Sequence, residues 1–129
     1  MFSYTIYTMT LPIIHQIDNR QALIGVLQSN PGLIFIKFGA EWCGPCKLIE
    51  KDLDEHFKNM SDDIQCIILD IDESFDIYAY MKSKKIVQSI PSVICYQKGN
   101  HSYVPDDVYS GSDKNKLSSF FDRCKEELL

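Results

Sequence analysis

Two apolar runs constrain this chain more than anything else in it. Leu33-Ile34-Phe35-Ile36-Lys37-Phe38 is continuous but for Lys37, and Ile64 to Ile71 is nearly continuous. A strand with one wet face alternates apolar and polar residues; an unbroken run belongs to a strand covered on both faces. Between the runs lies a segment with helical spacing. It starts near Cys43 and ends near His56 or Phe57, with Ile49, Leu53 and Phe57 recurring every four residues. Strand, helix, strand in this order is a parallel crossover, and such units build α/β sheets.

The rest of the chain fits around that unit. Leu11 to Gln16 reads as a short strand. Asp18 or Asn19 caps a helix carrying Leu23, Val26 and Leu27 on one face, and Pro31-Gly32 ends it. Ser74 caps a third helix with Phe75, Tyr78 and Met81 turned inward. Ser92 to Gln97 is a strand, Lys98-Gly99-Asn100 a turn, and Tyr103 to Tyr109 the returning strand. A last helix aligns Leu117, Phe120, Phe121, Cys124 and Leu128. The predicted order β-α-β-α-β-α-β-β-α gives a parallel core, an antiparallel hairpin, and helices on both faces of one central mixed sheet. No linker, repeat or low-complexity tract interrupts it. One domain is expected over residues 11–129, with 1–10 as an N-terminal extension.

Composition narrows the function. Of 129 residues, 45% are apolar and 24% charged, enough for a core without disulfide staples or a structural metal. A net charge of -5 supplies no electrostatic drive toward nucleic acid or anionic lipid. Lys82-Ser83-Lys84-Lys85 is read as a solvated helix end. No stretch of ~18 apolar residues exists to span a membrane. Met1 to Thr10 is apolar and aromatic but has no basic residue, which makes a poor secretory signal. The five cysteines are odd in number, and only one pair is close in sequence. That pattern fits a reducing compartment, and a cytoplasmic location is expected.

The close pair is Cys43 and Cys46, in Trp42-Cys43-Gly44-Pro45-Cys46. It follows a buried strand and opens a helix. There the backbone N–H groups are unpaired and the helix dipole is positive, so a Cys43 thiolate is stabilised. Cys46, one turn deeper, is expected to be more shielded. The asymmetry assigns roles: Cys43 attacks a substrate disulfide, and Cys46 resolves the mixed disulfide. Pro45 suits the first helical turn, Gly44 admits another chain's backbone, and Trp42 forms an apolar rim. Zinc would need four ligands, whereas this chain has one pair and scattered His15, His56 and His101, so no metal is expected.

Phe38-Gly39-Ala40-Glu41-Trp42-Cys43-Gly44-Pro45-Cys46-Lys47 resembles the active-site segment of the thioredoxin family, and the resemblance extends from about Leu11 to the end. It implies a thioredoxin fold and a thiol–disulfide oxidoreductase that reduces disulfide-containing proteins, takes electrons from a separate reductase, and works as a monomer. It further implies that the Ile90–Pro91 bond is cis and faces the cysteines, that Gly111 lies on a third substrate-facing loop, and that Asp72 is either a surface acid near the binding face or simply solvated. Ile90, Pro91 and Gly111 would join Trp42, Gly44 and Pro45 in substrate binding. Without a glycine-rich nucleotide fingerprint or phosphate loop, no cofactor is expected.

Three positions depart from the family pattern. Its members usually carry a buried acid six positions before the first cysteine, often with a lysine on the next strand; here these are Lys37 and Ile68. Lys37 either reaches solvent along its alkyl stem or modulates the thiols. Lys51 stands where a proline often kinks the active-site helix, so a straighter helix is expected. Gly39 replaces the first of two tryptophans, leaving Trp42 alone. The segments 74–88 and 100–107 look longer than in compact members. Two other readings stay open: a disulfide oxidase or isomerase, and a binding module that turns over slowly.

Overall fold

Residue parity along one strand organises the molecule. The computed structural model describes residues 10–129, so most of the expected extension lies outside the described residues. Helix α1 (Arg20–Gln28) is capped by Asn19, whose side chain accepts the Ala22 N–H at 2.9 Å. Strand β1 (Leu33–Gly39) is buried at all seven positions. Helix α2 (Gly44–Lys58) follows as one continuous helix, with Lys51 inside it. Then come β2 (Ile64–Asp70), α3 (Phe75–Ser83), β3 (Ser92–Gln97), β4 (Asp107–Ser110) and α4 (Lys114–Lys125), which runs into a short 3-10 turn, Glu126–Leu128.

The four strands form one sheet in the order β2-β1-β3-β4. β1 pairs parallel with β2 and antiparallel with β3, and β3 pairs antiparallel with β4. Successive side chains of a strand point to opposite faces. Ile34, Ile36 and Phe38 therefore enter a core with Leu23 and Leu27 of α1 and Ile77 and Met81 of α3. Leu33 and Phe35 enter a second core with Ile49, Leu53 and Phe57 of α2 and Leu117, Phe120 and Phe121 of α4. Phe35 stands edge-on to Phe121, ring centroids 4.9 Å apart. The expected mixed sheet with helices on both faces is what forms.

Four expectations need correction. Leu11–Gln16 is not a strand: only Ile14 bridges β2, giving its N–H to the Cys66 carbonyl at 3.2 Å and accepting from Ile68 at 2.9 Å. Pro12 has no N–H to extend a ladder, and Gln16 is exposed. Phe75 does not turn inward; it is 69% exposed, and Ile77 fills the core position. Ser74 sits at the N-cap of α3 but makes no side-chain capping bond. The returning strand is confined to Asp107–Ser110, because Asn100, Ser102 and Asp106 satisfy the loop before it: Asn100 Nδ2 donates to the Val104 carbonyl at 2.9 Å, and the Asp106 carboxylate accepts the Gln97 N–H at 2.7 Å.

Candidate active site

The end of β1 delivers the dithiol to the start of α2. Cys43 is the N-cap of α2, and its sulfur accepts the Cys46 N–H at 3.1 Å. That is the place of a capping serine oxygen, here filled by a sulfur. Pro45, in the first turn, removes no helical hydrogen bond. Cys43 and Cys46 are joined by a disulfide, their Cα atoms 5.3 Å apart.

The expected difference in shielding is absent in this oxidised state: Cys43 is 4% exposed and Cys46 3%. Their neighbours differ instead. Cys43 Sγ lies 3.9 Å from the Ile90 carbonyl oxygen. A disulfide sulfur has no proton to donate, so this is a close approach rather than a hydrogen bond. Cys46 faces the other way, into a cavity of about 320 Å³ that it lines with Lys37, Gly39, Glu41, Glu50 and Asp70.

Three loops close around the Cys43 side. The Ile90–Pro91 bond is cis, as the resemblance implies. The Pro91 carbonyl accepts the Gly111 N–H at 3.1 Å, and the Ser92 and Ser110 hydroxyls meet at 2.6 Å, so the two loops are pinned together. Gly111 has φ +133, and a Cβ there would meet the Tyr109 hydroxyl at 3.2 Å. Trp42 is 66% exposed, and its indole N–H donates to Asp72 Oδ2 at 2.9 Å. Asp72 is therefore tied to the rim and is not an idle surface acid. Gly44 has open space around its Cα.

Lys37 pairs in register with Ile68, so the two positions the resemblance singles out stand side by side on neighbouring strands. The lysine does not simply run out to solvent. It is 9% exposed and curls back over Gly39, where a Cβ would meet both its Cε and its Nζ at 2.9 Å. Glu50 escaped the sequence reading, although four residues after Cys46 is the spacing that stacks two side chains on one helix face. Asp70 escaped it too; the visible sign was its place at the end of β2, beside Gly39.

The remaining cysteines, Cys66, Cys95 and Cys124, are free and buried. Burial pushes the Cys66 thiol up to about 12. A hydrogen bond with the Cys124 thiol, and burial after it, push the Cys95 thiol up as well. Neither is poised for nucleophilic attack.

A Cys-X-X-Cys disulfide at a helix N-terminus, beside a cis-proline loop on an α/β sheet, defines a thiol–disulfide oxidoreductase. A family profile for thioredoxin matches residues 16–123. Thioredoxin-T of Drosophila melanogaster is 30% identical over 115 residues, covering 89% of this chain and 66% of that protein. A thioredoxin of Pseudomonas aeruginosa is 32% identical over 91 residues, covering 70% and 78%. Among solved structures, Trichomonas vaginalis thioredoxin aligns with a TM-score of 0.69 at 24% identity, over 86% of this chain and 96% of the other. The chain belongs to the thioredoxin family.

Proposed function

We propose that this protein reduces disulfides in other proteins through a Cys43/Cys46 dithiol–disulfide cycle. The observation that carries this is the Cys46 N–H donated to Cys43 Sγ at 3.1 Å, with the Ile90 carbonyl 3.9 Å from the same sulfur. The Cys43 thiolate attacks one sulfur of the substrate disulfide, forming a mixed disulfide and expelling the other sulfur as a thiolate. The Cys46 thiolate then attacks Cys43 Sγ, forming the internal disulfide and releasing the second substrate thiolate. Two electrons pass to the substrate, and a separate reductase returns two. Ile90, Pro91 and Gly111 frame the groove in which an extended substrate strand lies, with the Ile90 backbone available for pairing. Trp42, Gly44 and Pro45 form its other wall.

A reducing compartment such as the cytoplasm suits three free cysteines, and action as a monomer suits a site built from one chain. Among the described residues no helix is long and apolar enough to cross a membrane. Insulin-disulfide reduction with dithiothreitol as donor tests the activity: turbidity from the freed B chain should appear with the native protein and not with Cys43→Ser. A native protein that leaves insulin intact would favour the slow binding module. Mixed disulfides trapped by Cys46→Ser would identify the substrates.

A further inference from the structure

The cavity behind the dithiol is lined by a cation, Lys37, that takes no part in the two thiol–disulfide exchange steps. Lys37 Nζ and Cys46 Sγ both approach one point, the position a Cβ on Gly39 would occupy. The amine is 2.9 Å from it and the sulfur 3.5 Å. Amine and sulfur are thus no further apart than those two distances laid end to end. None of the ion pairs among the described residues includes Lys37. Lys37 and Cys46 line the same cavity, on the α2 face of the sheet, and that cavity opens to solvent.

We infer that Lys37 is the charge-setting residue of Cys46, and that Gly39 is the vacancy that lets it be so. This rests on the proposed reductase chemistry. When the disulfide is reduced, Cys46 becomes a thiol whose proton leaves through the cavity to water. The thiolate left behind faces the Lys37 ammonium, and an opposite charge within a few ångströms favours the charged form. Other charged groups line the same space: Glu41 from the loop before α2, Lys47 and Glu50 from α2, and Asp70 from β2. Lys47 acts in the same sense as Lys37, while Glu41, Glu50 and Asp70 oppose it; Lys37 is the one whose amine is packed against Gly39, next to the sulfur.

The geometry couples two departures from the family pattern. A side chain at position 39 would collide with the lysine tip before it touched Cys46. The collision falls on the far end of a flexible side chain, so the lysine would yield and swing its charge away. Gly39→Ala thus becomes a way to move the cation without deleting it. Stabilising the thiolate stabilises the reduced protein, so Lys37 should make this protein a weaker reductant than it would be without the charge.

The test equilibrates the full chain with glutathione buffers and reads the fraction of Cys43–Cys46 disulfide. Lys37→Met should shift the equilibrium about tenfold toward the disulfide, equivalent to ~30 mV for this two-electron couple. Lys37→Arg, which keeps the charge, should stay within about twofold of the native protein. Gly39→Ala should shift in the same direction as Lys37→Met although the lysine remains. In a Cys43→Ser background, which isolates Cys46 among the reactive thiols, the pH profile of Cys46 alkylation should move to higher pH on adding Lys37→Met. Unchanged equilibrium and pH profile in Lys37→Met would overturn the inference. So would a Lys37→Arg variant that behaves like Lys37→Met. The glutathione equilibrium needs no protein substrate, so failure to reduce insulin would count against the reductase reading alone.

Discussion

The Cys43 sulfur takes the hydrogen bond from the Cys46 backbone N–H that a serine or aspartate oxygen takes at an ordinary helix N-cap. The proposed nucleophile is thus held by the backbone of its own partner, and the two cysteines are ordered before any substrate arrives. Charge-assisted bonds of this kind are about twice as strong as neutral ones, so reduction to the thiolate strengthens the contact.

From that bond follows the division of labour. Iodoacetamide at mildly acidic pH should label Cys43 of the reduced protein before Cys46, read by peptide mass spectrometry. Cys43→Ser should remove disulfide reduction entirely, whereas Cys46→Ser should still form mixed disulfides that persist. Labelling of Cys46 first would reverse the roles.

The Trp42–Asp72 bond gives an optical handle, because Trp42 is the only tryptophan. Asp72→Ala should leave the fold intact and broaden the indole's motion, seen as lower fluorescence anisotropy. The bond is exposed, so its loss should cost under ~1 kcal/mol of stability. Turnover should fall a few-fold through KM, since the rim that greets the substrate loosens while the dithiol stays. An unchanged anisotropy would show that Asp72 does not hold the ring.

Cys66, Cys95 and Cys124 act as small apolar groups. Replacing all three with alanine should keep most of the turnover and lower stability by roughly 1 kcal/mol per site. Native-state alkylation should spare them, because their burial keeps the reagent away. Activity lost from a folded triple variant would reveal a second redox site.

Asp107 and Arg123 set an acid limit on stability. Arg123 donates to both carboxylate oxygens, at 2.6 Å from Nε and 3.0 Å from Nη2. First the Arg123 hydrogen bonds, and further the Val108 N–H, hold the Asp107 carboxyl below its ordinary value of 3.8, against the effect of burial. The folded state therefore binds its proton less readily than the unfolded chain. The resulting stability is present above the unfolded pKa and is lost as pH falls through the folded one. The arginine is half exposed, so solvent screening limits the pair to about 1 kcal/mol. Asp107→Asn should lower the urea midpoint at pH 7 and leave it nearly unchanged near pH 2. An equal loss at both would point to packing rather than charge.

Much of this was legible beforehand, for reasons that can be named. The run at Leu33 had to be a doubly covered strand because its apolar residues leave no wet face; the run at Ile64 is a strand too, but an edge strand rather than an interior one, partly exposed at Gln65, Ile68 and Asp70. Cys43 had to open a helix because Pro45 and the later four-residue spacing leave no other start. Phe75 misled because apolar spacing gives a period but not its phase, and the phase of α3 is set by Ile77 and Met81 packing on β1. The strand at Leu11 misled because its pairing depends on a backbone donor that Pro12 lacks. Lys37 was visible as an oddity, but where its amine goes is decided by an empty space at Gly39, and a sequence displays atoms rather than gaps.

The alternation along β1 carries one more consequence. Odd positions look toward the dithiol helix and even ones away from it, so a slip of a single residue would exchange the two cores wholesale. Phe35 would leave its ring cluster, Phe38 would turn upon the cysteines, and the ammonium of Lys37 would be driven into hydrocarbon between α1 and α3. Each of those is costly alone, and together they make misalignment self-defeating. The lysine that tunes the chemistry thereby also proofreads the strand: it tolerates one side of the sheet and is forbidden the other.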